Sequence, residues 1–171
     1  MAAATVDFRT LAWDRAKLNS SGKDIGRKTY WRLFAIENLV RVLVNSVLFV
    51  QIGPNWWAVG VDPDIKGRVL RFKADYALQP WHSTPGGHDV YYTQLPDLAR
   101  IIRDNSHLFL PIVSDIDAWV ARLDQIRLPR NIVGHMNWPS AADRRRIEAF
   151  HADFEALTRH VEASGIAMII P

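Results

Sequence analysis

The chain has 171 residues, enough for one domain that buries its own core without metals or disulfides. A hydrophobic fraction of 49% with 23% charged residues excludes a disordered chain, and the absence of cysteine excludes a disulfide framework, a thiolate zinc site and a thiol nucleophile. A net charge of +3 mildly favours an anionic partner, although such a surplus is more often ordinary surface chemistry than a nucleic-acid footprint. Met1 to Asn19 carries Asp7, Arg9, Asp14, Arg15 and Lys17, which break any secretory h-region. Leu33 to Ile52 is apolar but interrupted by Glu37, Asn38, Arg41, Asn45 and Gln51, so no membrane span is expected and the protein reads as cytoplasmic.

In chain order, Lys28 to Val50 places Leu33, Ile36, Val40, Leu43 and Val47 at steps of three and four, the helical period, with Glu37 and Arg41 paired four apart. Gly53-Pro54 stops that helix before Asn55, Trp56 and Trp57. Asp62-Pro63 reads as a cap and first position of a second helix facing inward through Ile65, Val69, Phe72 and Tyr76. Gln79 to Asp89 is a loop exposing His82 and His88. A short helix over Thr93 to Asp104 and another over Pro111 to Arg127 follow, the latter with Ile112, Ile116, Trp119, Val120, Leu123 and Ile126 inward. The last opens at Ser140 and Asp143, a capping box, and ends at Gly165. Ile166 to Ile170 is the one weak strand candidate. The expected architecture is therefore all-α, a bundle of about five helices in a single domain over 1–171, with a core at about 28–163, an N-terminal extension 1–27 and a short tail 164–171.

The residues that carry chemistry are Arg130, Asn131 and His135. Following Pro129, they are expected to open a new helix, where free N–H groups, a partial positive charge and the arginine fork suit a phosphate. Histidine moves protons near neutral pH. Those parts suffice for RNA cleavage by the ribose 2'-hydroxyl, with a base activating the hydroxyl and a cation stabilising the phosphorane. Residues five apart on a helix diverge by about 140°, so one copy gathers these groups poorly and a two-fold dimer would gather them better. The same residues also fit a cap with surface charge. Trp138 is a candidate to line the cleft, and Arg144, Arg145 and Arg146 a candidate phosphate track, against the plainer reading of a solvated face. Trp31, Trp57 and Trp119 fall at core positions, and His107, His151 and His160 show no metal-ligand spacing.

Four stretches carry a resemblance: Ile36-Glu37-Asn38-Leu39-Val40-Arg41, Asn55-Trp56-Trp57, Leu95 to Ile102, and Leu128-Pro129-Arg130-Asn131-Ile132-Val133-Gly134-His135. Between Tyr30 and Glu162 the chain resembles the HEPN superfamily, in the branch that includes the HEPN domain of a eukaryotic transcription-surveillance endoribonuclease and stand-alone bacterial relatives. The last stretch matches the family signature, Arg, four to six residues, then His. The resemblance implies a helical bundle that dimerises through the motif-bearing helices and, in active members, cuts RNA without metal or cofactor. It implies that His135 is the acid/base group, Arg130 the phosphate and transition-state ligand, Asn131 an orienting residue, and Glu37 a cleft-directed group on the first long helix. Phage defence, toxin activity or RNA surveillance are the settings it implies, with an antitoxin or regulatory protein as a further partner. Asn137 stands where nucleotidylated relatives carry tyrosine, which argues against that mode of regulation. The alternative is a non-catalytic HEPN module that binds RNA, nucleotide or protein.

Overall fold

The structure, a computed structural model, describes residues 7–171, and among them every regular element is helical. Of the 1–27 extension, residues 1–6 lie outside the described part. The remainder of it is helical from Arg15, because Asp14 caps helix α1 (Arg15–Ile25) by accepting from the Ala16 N–H at 2.8 Å. A wide π-type turn, Gly26–Tyr30, then feeds directly into α2 (Trp31–Ile52). The first long helix thus begins well before Lys28.

The Arg15–Ile52 run is long and apolar enough to cross a membrane, but half of its most apolar window is buried inside the fold, the position of a core helix. Leu33, Ile36, Val40, Leu43 and Val47 all point inward as their spacing requires. Gly53 ends α2 with φ of 102°, a conformation that glycine adopts without strain, just before Pro54.

Helix α3 (Trp56–Gly60) plants Trp56 in the core, where its indole N–H donates to Asn45 Oδ1 at 3.0 Å. The Asn45 amide in turn donates to the Ile169 carbonyl at 2.9 Å, and the Ile169 N–H donates to Ser46 Oγ at 2.7 Å. The C-terminal tail is therefore clasped to α2 through two buried side chains. Ile166 to Ile170 forms no strand: its backbone partners are those side chains and not a neighbouring strand.

Helix α4 (Pro63–Ala77) starts where expected, with the Asp62 carboxylate accepting from the Asp64 N–H at 2.8 Å. Ile65 and Val69 are buried, but Phe72 and Tyr76 are exposed. The second half of α4 leaves the bundle and is backed chiefly by the short turn Asp89–Tyr92, through a Lys73–Asp89 ion pair at 2.6 Å and an edge contact of Tyr76 with Tyr92. At the end of the loop before it, His88 stacks on Trp56 with ring centroids 5.2 Å apart and accepts from the Val90 N–H. Burial pushes its imidazole below the ordinary value, so it sits in the fold as a neutral acceptor, half-buried and not the exposed residue that the loop predicts.

Helix α5 (Leu95–Asp104) opens with a Gln94–Asp97 capping box and buries Leu98, Ile101 and Ile102. After the single turn α6 (Ser106–Phe109), the N–H groups of Ile112 and Val113 return to the Phe109 carbonyl at 2.9 and 2.8 Å. That turn closes off the chain, so the next helix, α7 (Ile116–Gly134), starts five residues later than Pro111. Helix α8 (Ala141–Ala163) has the predicted Ser140–Asp143 capping box. Gly165, at φ of 86°, lets the Gly165 and Ile166 N–H groups reach the carbonyls of Glu162 and Val161, a Schellman ending. Helices α2 and α8 pack together, α7 packs on α5 and α8, and the apolar core fills the space between them.

Candidate functional site

The sequence predicts that Pro129 begins a helix, and the structure overturns this. Pro129 lies inside α7, which runs unbroken from Ile116 to Gly134. The cause is burial: Ile126, Pro129 and Val133 continue the rhythm of three and four into the core, so packing of the proline ring offsets the helix hydrogen bond that proline cannot donate. Arg130 therefore stands just before the last turn, Asn131 in it, and His135 is the C-cap. This end of the helix presents carbonyls and a partial negative charge, so no backbone cradle for phosphate exists here and any anion must be held by side chains.

The helix ends in a second Schellman turn, with the Met136 N–H donating to the Val133 carbonyl at 3.0 Å and the Asn137 N–H to the Ile132 carbonyl at 2.9 Å. Met136 occupies the left-handed position usually held by glycine, with φ of 59°, and its side chain is 81% exposed. Met136→Gly is expected to stabilise the protein by about 1 kcal/mol through relief of that backbone, read as a higher urea midpoint at unchanged slope; an unchanged or lower midpoint would show that the methionine side chain compensates.

Across from this turn, α2 supplies Glu37, Asn38 and Arg41. Arg41 donates to Glu37 Oε1 at 2.5 Å, to the Thr93 carbonyl at 2.9 Å and to Asn38 Oδ1 at 3.1 Å. Arg130 reaches the other oxygen of the same carboxylate, Oε2, at 3.5 Å, and Asn131 Oδ1 accepts from Arg130 Nη1 at 3.5 Å. One carboxylate thus serves two guanidiniums, leaving one positive charge in surplus at a cavity of about 590 Å³. Arg41 is nearly buried and fixed; the Arg130 side chain, 31% exposed and at longer distances, is the one placed to turn toward a ligand. Tyr30, Phe34, Tyr91 and Met136 form much of the remaining wall.

The structure therefore brings Glu37 and Arg130 together in the wall, with Asn131 touching Arg130, and leaves both Asn131 and His135 outside the wall. His135 is exposed at the rim, flanked by Gly134 and Met136, both of which line the cavity. A methyl group added at Gly134 would meet Arg130 Nη1 at 3.8 Å, so the guanidinium lies along the turn that ends in His135.

No family model matches the chain, and no curated protein or solved structure matches it either.

The candidate RNA contacts beyond the motif divide. Trp138 is only 9% exposed and Arg144 lies over its ring at 5.4 Å, so no base can stack on it without displacing the arginine. Arg144 is also 3.9 Å from Asp24, and Arg146 pairs with Asp143 at 3.3 Å. Arg145 alone of the three is exposed without an acidic partner among the described residues. Trp31, expected in the core, is 43% exposed and packs by its edge on His151. No group of three metal-ligating side chains converges among the described residues.

Beyond Glu37 and Arg130, the residues of the cavity were not anticipated in that role, Arg41 and Tyr91 among them. Arg41 carried the signal, since four residues from Glu37 it must share that face. Tyr91 lies in a short turn whose direction no period reveals.

Proposed function

We propose that the protein is a metal-independent endoribonuclease of the HEPN type, acting as a cytoplasmic homodimer in which two copies join through the ends of α7. The observation that carries this reading is the meeting of Arg130 and Glu37 at a cavity with surplus positive charge, with Asn131 against Arg130 and His135 exposed on the rim. A phosphate entering the cavity can take Arg130 from its long contact with Glu37, because a charge-assisted bidentate bond to phosphate is stronger than an ion pair stretched to 3.5 Å. Arg41 stays behind to keep Glu37 paired.

Each copy holds Arg130 within its cavity and His135 outside, so a second copy placed about a two-fold axis at the α7 ends brings a second His135 over the bound phosphate. In that arrangement His135 takes the 2'-hydroxyl proton, the oxygen attacks phosphorus, and Arg130 neutralises the phosphorane. The exposed Phe34 and Met136 beside the rim give such an interface apolar contacts. The reading implies toxin, phage-defence or RNA-surveillance work, with an antitoxin or regulatory protein as an eligible partner.

The non-catalytic alternative, a module that only binds RNA, nucleotide or protein, draws support from the position of His135 outside the wall of its own cavity. Incubation with a mixed RNA panel in EDTA decides between them. Cleavage, together with a light-scattering mass near twice 19.5 kDa at micromolar concentration, is the expected result. Binding without cleavage by a folded dimer moves the assignment to the module.

A further inference from the structure

We infer that the N-terminal arm, Asp7 to Arg32, is a docking surface for single-stranded RNA that leads into the cavity holding Arg130.

The first observation is where the charge lies. Residues 1–32 carry seven basic against three acidic side chains, whereas the rest of the chain carries 14 against 15. The whole positive surplus of the protein is therefore in the arm, a separation that the modest total of +3 conceals. Arg15, Lys23 and Arg27 are exposed and have no acidic partner among the described residues, unlike Arg9, Lys17 and Lys28, which pair with Asp7, Asp14 and Asp24. Helical spacing puts Arg15 and Lys23 within about 80° of one another on α1, and Arg27 follows in the wide turn at its end.

The second is that little among the described residues covers this rod, apart from Arg144, which reaches Asp24 at 3.9 Å. It packs chiefly on the turns that flank it, and its side chains are exposed apart from Ser21 and, in part, Leu18, Asp24 and Ile25. Helix α1 is the outer end of the 38-residue helical run Arg15–Ile52, so its exposed side is open to a partner. Its free charges specify an anionic one.

The third observation selects RNA. Exposed aromatic rings stand at both ends of the arm, Trp13 at 80% exposure just before the cap Asp14, and Tyr30, Trp31 and Phe34 where the arm enters α2. Cations flanked by aromatic faces suit the phosphates and bases of a single strand. Tyr30 and Phe34 also line the cavity, so the arm leads to Arg130. An anionic membrane is the less suitable partner: α1 offers only Ala16, Leu18 and Ile25 as apolar residues, too few for a face that sinks into a bilayer.

The choice of RNA rests on the ribonuclease reading, so the test uses a probe that binds but cannot be cut by 2'-hydroxyl attack. A fluorescent 2'-O-methyl RNA 20-mer is titrated with the full chain and with the triple variant Arg15→Gln, Lys23→Gln, Arg27→Gln, at several salt concentrations. The triple variant should bind about tenfold or more weakly near 0.1 M salt, and its log Kd against log salt slope should flatten by about 2, the release expected for three phosphate contacts on a single strand. Trp13→Ala should weaken binding about fivefold or more through lost stacking. Unchanged affinity and slope in the triple variant would overturn the inference, whatever the cleavage assay shows. So would a triple variant that loses only binding to phosphatidylserine vesicles, or only its dimeric mass, and retains RNA. Absence of cleavage by the wild type, with this binding intact, would remove the ribonuclease reading alone.

Discussion

His135→Ala is expected to lose on the order of a hundredfold or more in RNA cleavage rate, the usual scale for a general acid-base group, while folding and RNA affinity survive. The imidazole is exposed at the end of α7 and makes no side-chain hydrogen bond among the described residues, so its removal leaves neither a cavity nor an orphaned partner. Arg130→Ala should behave differently. Its guanidinium touches the phosphate in the ground and transition states alike, so rate and affinity fall together. The wild-type products should carry a 2',3'-cyclic phosphate or its hydrolysis product on the upstream fragment, and DNA should resist. Cleavage that requires a divalent metal and survives His135→Ala would end the mechanism. In a composite dimer, mixing His135→Ala with Arg130→Ala subunits restores one intact site per heterodimer, a recovery that a site contained in one subunit cannot give.

Trp56→Ala should cost about 3 to 5 kcal/mol of folding free energy, the range for truncating a buried indole, against total stabilities of about 5 to 15 kcal/mol for such domains. Beyond the lost volume, the change strips Asn45 Oδ1 of its donor and removes the ring on which His88 stacks. Urea denaturation followed by circular dichroism reads the effect directly. Trp56→Phe, which fills most of the space but donates nothing, should fall between the two. A loss under about 1 kcal/mol for the alanine variant would mean that the indole is dispensable to the core. Any drop in cleavage by these variants should track the folded fraction, since Trp56 stands outside the cavity wall.

Much of the fold was legible because its helices announce themselves twice, by period and by cap. Leu33 to Val47 and Ile147 to Val161 face inward on spacing alone, and Asp62-Pro63 and Ser140 with Asp143 mark their starts. The failures have a common cause: a local rule met a tertiary fact. Proline at 129 is a start signal by every local criterion, yet the core accepts its ring and the helix continues. Phe72 and Tyr76 keep the period of an inward face on a helix that has left the bundle behind. Trp138 looked available because no local signal shows that Arg144 folds back over it.

For the site, the chemistry of Arg130, Asn131 and Glu37 was visible and their meeting was not, since it depends on how α2 crosses the end of α7. The reversal at Pro129 also changes the physical argument. An anion here relies on a side-chain fork, not on helix N–H groups, so replacing Arg130 with lysine should not preserve the site.

The wide turn at Gly26–Tyr30 sets a phase. A helix without it would carry α1 into α2 at a constant rotation of about 100° per residue, whereas one looser turn shifts everything before it by a fixed angle relative to everything after. The cations at 15, 23 and 27 and the wall at 30, 34 and 37 are thereby set to one another like the teeth and the bow of a key. Adding or removing a single residue within this turn, with every charge and ring retained, would swing the arm by roughly a quarter of a revolution.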